Sequence, residues 1–493
     1  MRVRGSTAEA QASSPDRDGD DRPQRAGGLA VGFAFPREVP MPESPNEPIA
    51  QQDASPSSGG GWFASLSRRV VNVEPGEWRV LLLSWIYFFS LLSSYYMLRP
   101  IRETMGIARG WDNLPWLFTA TLLTMIPANL LFAWLASRVP RKKFIPLAHR
   151  FFGFNLAVFV GMFFVVPEES RVWLGYCFYV WLSVFNLFVI SIFWAFMADV
   201  YRPDQSKRLF GFIGVGGTIG AILGSGAVWT LAEHVSVPVM MLGSLALLEV
   251  ATQAMKGLAR SQRVSLAETR KGGVDREPSP RVLEGLRLII GSRYMAIIAV
   301  YLLITTITAT FLYMEQGRII DLAIEDDDKR RSVFALIDML ANITTLILQG
   351  FLTARLVKKL GIGGALALLP MVVLVGFAGL AVAPVVWMIV TVQVARRGLH
   401  YAVARPVREM LFAPLGADAK YKSKPFIDTF IYRGGDQLAA WVPKGLAAIA
   451  VPLAWIAIPA ALVWAVVGLV LGRMERREES SPRAEAPTTE PRA

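Results

Sequence analysis

The sequence predicts an all-α integral membrane protein, with twelve transmembrane helices arranged as two parallel six-helix halves. Three observations carry that expectation. Hydrophobic residues make up 53% of the 493 residues, and they fall in blocks of about 20, the length that crosses a bilayer. Basic residues gather in alternate connections between those blocks, as the positive-inside rule requires. Short strings also recur at an offset of 217 or 218 residues, the mark of an internal duplication.

The chain opens with a polar stretch, residues 1–61, rich in Pro, Ser, Gly and Asp ("SPDRDGDDRPQRAGG", "ESPNEPIAQQDASPSSGGG"). Such composition cannot bury enough apolar surface to order itself, so a disordered tail is expected. It lacks the basic n-region and apolar h-region of a signal peptide. "GWFASLSRRVVNVEPGEW" follows, and reads as a short amphipathic segment at the interface. The expected spans are 79–104, 114–135, 144–166, 172–199, 209–231, 237–256, 293–315, 333–354, 362–382, 385–412, 425–448 and 450–472. They group as an N-terminal half (62–255), a cytoplasmic linker (256–292) containing "KGGVDREPSP", a C-terminal half (293–472) and a disordered tail (473–493).

The connections orient the chain. "SRVPRKK" (137–143), "YRPDQSKR" (201–208), "ARLVKK" (354–359), "AKYKSK" (419–424) and the linker are basic and all follow even-numbered spans. The opposite connections are poorer in Lys and Arg or carry acid, as in "PEES" and "DLAIEDDDKRR". Both termini are therefore expected in the cytoplasm. The net charge of +12 resides in these loops, which argues against a nucleic-acid partner and for the lipid bilayer. Cys177 is the one cysteine, so an internal disulfide is excluded. His149, His234 and His400 are scattered, and neither metal nor cofactor is expected.

The duplication rests on three matches. Tyr96-Met97 recurs as Tyr313-Met314, Arg138 of "LASRVPRKK" matches Arg355 of "LTARLVKK", and "FIGVGG" (212–217) returns as "FIYRGG" (430–435). Two parallel six-helix halves are the organisation of the major facilitator fold.

Candidate site residues come from charge placed where charge is costly. "YYMLRPIRETMG" (95–106) ends the first span, and "ARPVREML" (404–411) ends the tenth. On a helix, Arg99, Arg102 and Glu103 lie on one face, and Arg405, Arg408 and Glu409 repeat the spacing. Each proline frees a carbonyl and favours a kink. Either string alone also fits arginines snorkelling from a helix end. Together they suggest a cavity wall offering planar forks to an anion, most naturally phosphate. The tenth span adds Gln393, Arg396, Arg397 and His400. Glu315, Gln316, Asp338, Asn342, Asp428, Arg433 and Asp436 lie in the seventh, eighth and eleventh. Of these, Glu315 and Asp338 are candidate proton or gating groups. Gly216, Gly220 and Gly224, by contrast, form a small-residue ridge for close helix packing; the spacing fails a nucleotide-binding glycine loop.

"SIFWAFMADVYRPDQSKRLFGFIGVGGTIGAILGS" (191–225) and "ARPVREMLFAPLGADAKYKSKPFIDTFIYRGGDQLAAW" (404–441) resemble the fourth-to-fifth and tenth-to-eleventh helix regions of the ATP/ADP translocase family. That family comprises nucleotide exchangers of plastids and of obligate intracellular bacteria. At the end of the first helix, Arg102 and Glu103 stand where the family carries a Lys-Asp pair. The resemblance covers roughly 79–472 and points to a divergent member from a free-living bacterium. It implies a multi-pass protein of the bacterial inner membrane that exchanges nucleotides, ATP for ADP, or another phosphorylated anion. It further implies substrate or gating roles for Arg102, Glu103, Arg408, Lys422, Lys424, Asp428 and Arg433.

The leading expectation is thus a monomeric secondary-active transporter, not an enzyme, that takes a small anionic solute by alternating access. Substrate phosphates would bridge Arg99 and Arg102 to Arg405 and Arg408. No Walker-A string is present, so ATP would be cargo rather than fuel. Two other readings remain open: a proton-coupled symporter or exporter of another metabolite, and a non-transporting membrane receptor or scaffold.

Overall fold

A computed structural model describes residues 73–74, 76–139, 141–261, 282–413, 415, 423, 426–449 and 451–480. The expectations for 1–61 and for Lys422 and Lys424 fall outside these residues. Twelve helices follow the expected order: α1 (Trp78–Gly106), α2 (Leu114–Arg138), α3 (Arg141–Val165), α4 (Arg171–Val200), α5 (Pro203–Leu231), α6 (Val237–Ser261), α7 (Arg293–Ala323), α8 (Asp327–Phe351), α9 (Thr353–Val382), α10 (Val386–Leu399), α11 (Tyr432–Ala448) and α12 (Ala454–Ser480). Their starts follow local chemistry. Pro115 and Pro203 occupy the first turns of α2 and α5, where a missing N–H costs nothing. The Asp326 carboxylate caps α8 by accepting from the Asp328 and Lys329 amides at 2.8 and 2.9 Å.

Ten of the helices are long and apolar enough to cross a bilayer. The two that are not are α10, in which the sequence places Gln393, Arg396 and Arg397, and α11, which carries Arg433 and Asp436. Each is extended by a π-turn: His400–Ala404 after α10, leading into the short helix Arg405–Met410, and Ile427–Ile431 before α11. Pro406 explains the first. It has no N–H, and the π-turn carries the Arg405 amide to the His400 carbonyl, so the Tyr401 and Ala402 carbonyls lose their helical donors. Gln349 Nε2 and Thr353 Oγ1 donate to those two oxygens at 3.2 and 2.9 Å. Neighbouring helices thereby satisfy the freed backbone, as membrane depth demands.

Three boundaries differ from expectation. The linker is partly helical, because α6 continues to Ser261 and a helix over Val282–Gly291 precedes α7. Likewise α12 runs past 472 to Ser480, since "RMERREES" is rich in helix-forming Arg, Met and Glu. Within α9, Gly361 adopts φ 68°, a left-handed conformation that separates the basic 353–360 segment from the span itself.

Packing resolves into three apolar clusters. One draws on α1 and α3–α6, with Ala335 of α8 joining it. A second draws on α7 and α9–α12, with Leu348 of α8 packed against it. The third mixes the halves: Ile107, Leu114, Leu117 and Tyr179 pack with Met314, Ile320, Phe334 and Ala440. It lies at the end of the bundle where odd-numbered helices connect to even-numbered ones. Bonds between halves gather at that same end. Arg331 reaches the Ala232 carbonyl, Ser332 the Trp229 carbonyl, Trp441 Nε1 donates to Thr119, and Lys444 reaches the Asp112 carbonyl. This end is closed.

The glycine ridge on α5 sets how closely α1 approaches. A Cβ at Gly220 would run into the Phe89 carbonyl oxygen, and one at Gly224 into that of Ser93. Both obstacles are backbone and cannot rotate away. Gly220→Leu is therefore expected to destabilise the protein by at least about 1–3 kcal/mol, read as a lower Tm of the purified protein. Gly211→Leu is the control, because nothing lies within 4 Å of a Cβ there.

Candidate functional site

The site forms where α1, α4, α7, α8 and α10 converge, one to three turns inside the closed end. Helical spacing aligns Arg99, Arg102 and Glu103 as expected. The Arg99 guanidinium donates from Nη1 to Asp338 Oδ1 at 2.8 Å, and its Nε lies 3.7 Å from Glu103 Oε1. Arg397 of α10 donates to the same Asp338 oxygen at 2.6 Å. Asp338 is 2% exposed, so a single buried carboxylate joins a cation from each half. Arg102 Nη1 stands 3.6 Å from Glu103 Oε1, and its guanidinium lies 4.1 Å from the centre of the Tyr179 ring. Tyr313 of α7 donates to Glu103 Oε2 at 2.5 Å, and its hydroxyl is 2.9 Å from that of Tyr179. Glu103 is thus held by arginines of its own helix and by a phenol from the opposite half.

Beside Arg102 lies a polar cavity of about 200 Å³ between the halves. Arg102, Tyr179, Ser183 and Asn186 line one side, and Arg433, Asp436 and Gln437 of α11 the other. Asp436 accepts from Thr310 at 2.8 Å. Among the described residues, the Thr121 hydroxyl, the Asn186 side-chain carbonyl and Arg102 Nε are buried here without a hydrogen-bond partner. They leave both donors and acceptors for a solute or water.

Arg396 differs from its neighbours. Its Nε and Nη2 donate to the Gln393 carbonyl oxygen at 3.2 and 3.1 Å, while Gln393 Nε2 is pinned to the Leu312 carbonyl of α7. Among the described residues, no carboxylate lies within salt-bridge distance of Arg396, and the charged groups closest in effect are Arg397 and Arg99. One turn on, Tyr401 stands in the field of Arg397, Arg99, Arg396 and Arg405 and keeps 39% of its surface accessible.

Among the described residues no ion pair or hydrogen bond joins the two Arg-Pro-x-Arg-Glu strings, so the expected four-arginine clamp is not formed in this conformation. The reason is parity. α1 is odd-numbered and carries its string at the closed end; α10 is even-numbered and carries its string at the other. Arg408 donates to the Tyr432 hydroxyl at 2.9 Å and to Glu409 at 2.6 Å, and Arg405 is exposed. Eight residues earlier on the same helix, about 12 Å away, Arg397 takes the place facing Arg99. Glu315 is also apart from the cluster. It pairs with Arg318 of its own helix in a larger cavity of about 470 Å³, walled by α7, α9, α11 and α12. Asp428 lies in the π-turn that leads into α11. Tyr179 and Tyr313 escaped sequence reasoning; the only signal was the match of Tyr313 to Tyr96 in the internal repeat. Among the described residues no group of His, Cys, Asp and Glu is arranged to hold a metal ion.

Comparison with known proteins agrees with this architecture. The sequence model of the Major Facilitator Superfamily matches residues 26–225. No curated protein matches the chain. Among solved structures, an auto-inhibited POT family peptide transporter is similar with a TM-score of 0.55 at 12% identity, covering 83% of this chain and 99% of its own. A bacterial homologue of the human lysosomal transporter Spinster, in an inward-facing and unoccupied conformation, gives 0.51 at 12%, covering 83% and 100%. The nucleoside transporter NupG gives 0.51 at 13%, covering 82% and 99%. At these identities the likeness is one of fold. The family match over residues 26–225 and the likeness to solved transporters together give the chain a Major Facilitator-like, all-helical membrane fold.

Proposed function

We propose that this transporter exchanges phosphorylated anions of the nucleotide class by alternating access. The observation that carries the proposal is the cation surplus of the central layer. Arg99, Arg102, Arg396, Arg397 and Arg433 face Glu103, Asp338 and Asp436, and among the described residues Arg396 has only an amide oxygen to bind. A desolvated guanidinium without a counter-ion is costly. An incoming phosphate supplies that counter-ion with matching planar geometry. The exposed Arg405, with Arg408 behind it, would meet the anion on its way in and raise its local concentration. The empty site keeps its charge surplus, so return without cargo is slow and exchange is favoured over net flux.

The basic connections lie at the end opposite the closed one. By the positive-inside rule the closed end faces away from the cytoplasm and both termini lie within it. The conformation is then inward-facing, in the inner membrane of a bacterium. A second reading, proton-coupled transport, has its own observation: Glu103 and Asp338 are buried carboxylates, and Asp338 Oδ2 has no partner among the described residues.

Ligand-dependent stability tests the proposal on purified protein. ATP, ADP and inorganic phosphate are expected to raise Tm in proportion to RT ln(1 + [L]/Kd), whereas adenosine is not. Stabilisation by an uncharged solute, with none from any phosphorylated one, would refute the reading.

A further inference from the structure

The lipid-facing side of the N-terminal half carries a charge pair that transport does not use. Arg150 lies nine residues into α3 and Glu249 twelve residues into α6, about 14 and 18 Å along their helices. Both positions fall within the hydrocarbon thickness. Yet the side chains are 59% and 48% exposed. Ionisable groups at this depth normally turn inward to a cavity or bundle core. These turn outward, in company with Phe151, Phe154 and Leu242, all exposed.

The pair is not closed upon itself. Arg150 Nη2 is 3.4 Å from Glu249 Oε1, long for a charge-assisted bond. The same carboxylate oxygen also accepts from Gln253 of its own helix. Of the five N–H donors of a guanidinium, one finds a partner among the described residues. The internal repeat provides a control. At the 217-residue offset α9 carries Ala367, which is buried, and α12 carries Val466, which is exposed; their exposed neighbours Met371, Val375, Leu462 and Val463 are all apolar. That face suits lipid; the α3/α6 face does not.

We propose that the α3/α6 face is the contact surface of a two-fold dimer of this chain, in which Arg150 of each copy pairs with Glu249 of the other. A patch holding one cation and one anion is complementary to itself under two-fold rotation, the defining demand of an isologous interface. Exchange of partners gives each ion a shorter bond and removes both from lipid. The flanking aromatics supply the packing that drives helix association in a bilayer. A dimer departs from the monomer expected from the sequence.

The test uses the full chain, purified and reconstituted in liposomes, where a second copy is the one protein partner present. Single-molecule photobleaching is expected to show two steps for wild type and one for Glu249→Arg. The doubly swapped Arg150→Glu/Glu249→Arg protein restores two steps, which separates pairing from misfolding. In a Cys177→Ser background, Phe154→Cys is expected to cross-link to a dimer-sized adduct and Leu462→Cys is not. One-step bleaching of wild type, equal cross-linking from both positions, or failure of the double swap would each overturn the dimer. So would an adduct in native membranes whose mass shows a different protein on this face.

Discussion

Arg396→Ala is expected to weaken substrate-dependent stabilisation and transport strongly while leaving the fold intact. The structure separates those effects. Arg396 is half-buried and, among the described residues, bonded to the Gln393 amide alone, so its removal strands no partner charge. Its loss takes one charged fork from the phosphate, a contact worth about 1.5–3 kcal/mol. Substrate affinity should therefore fall roughly ten- to hundredfold. Arg396→Lys keeps the charge but loses the bidentate geometry and is expected to recover part of the affinity. Titration of the variants with ATP, followed by Tm and by uptake, gives the comparison. Undiminished affinity in Arg396→Ala would remove the residue from the site.

The second large effect is on stability. Asp338→Ala removes the single oxygen that accepts from both Arg99 and Arg397. Two guanidiniums are then left in a buried layer with their shared counter-ion gone. Breaking one side of a buried ion pair costs about 3–5 kcal/mol, enough for a large fall in Tm. The triple variant Asp338→Leu/Arg99→Met/Arg397→Met is expected to be more stable than Asp338→Ala, because the two cations that Asp338 compensated are removed with it. It should nevertheless fail to transport. Thermal unfolding of the three proteins decides the matter: an Asp338→Ala protein as stable as wild type contradicts the shared-acceptor role.

Much of this architecture is legible in the sequence, and the misses have physical causes. Apolar blocks of bilayer length, basic loops and the 217-residue repeat lead directly to twelve helices in two halves. The glycine ridge reads correctly because steric closeness depends on spacing within one helix. Arg99, Arg102 and Glu103 fall together for the same reason. Partnerships between helices are harder. Asp338 is visible as an ionisable group at depth, but its partners on α1 and α10 follow only from packing. Tyr313 looks like a repeat landmark, since a phenol carries no signal of the carboxylate it will meet 210 residues away. The paired strings mislead by their likeness. Matched spacing drew attention to Arg405 and Arg408, when helix direction places Arg396 and Arg397 opposite Arg99. Counting odd and even spans would have exposed the mismatch.

The most direct test of phosphorylated-anion exchange is uptake of labelled ATP into proteoliposomes of the purified protein. Vesicles preloaded with unlabelled ADP are run beside empty vesicles, with and without a proton-gradient uncoupler. The account predicts uptake that requires internal ADP and is indifferent to the uncoupler. Uptake into empty vesicles that collapses with the uncoupler, or no uptake by a folded protein that takes up a non-phosphorylated solute, would contradict it.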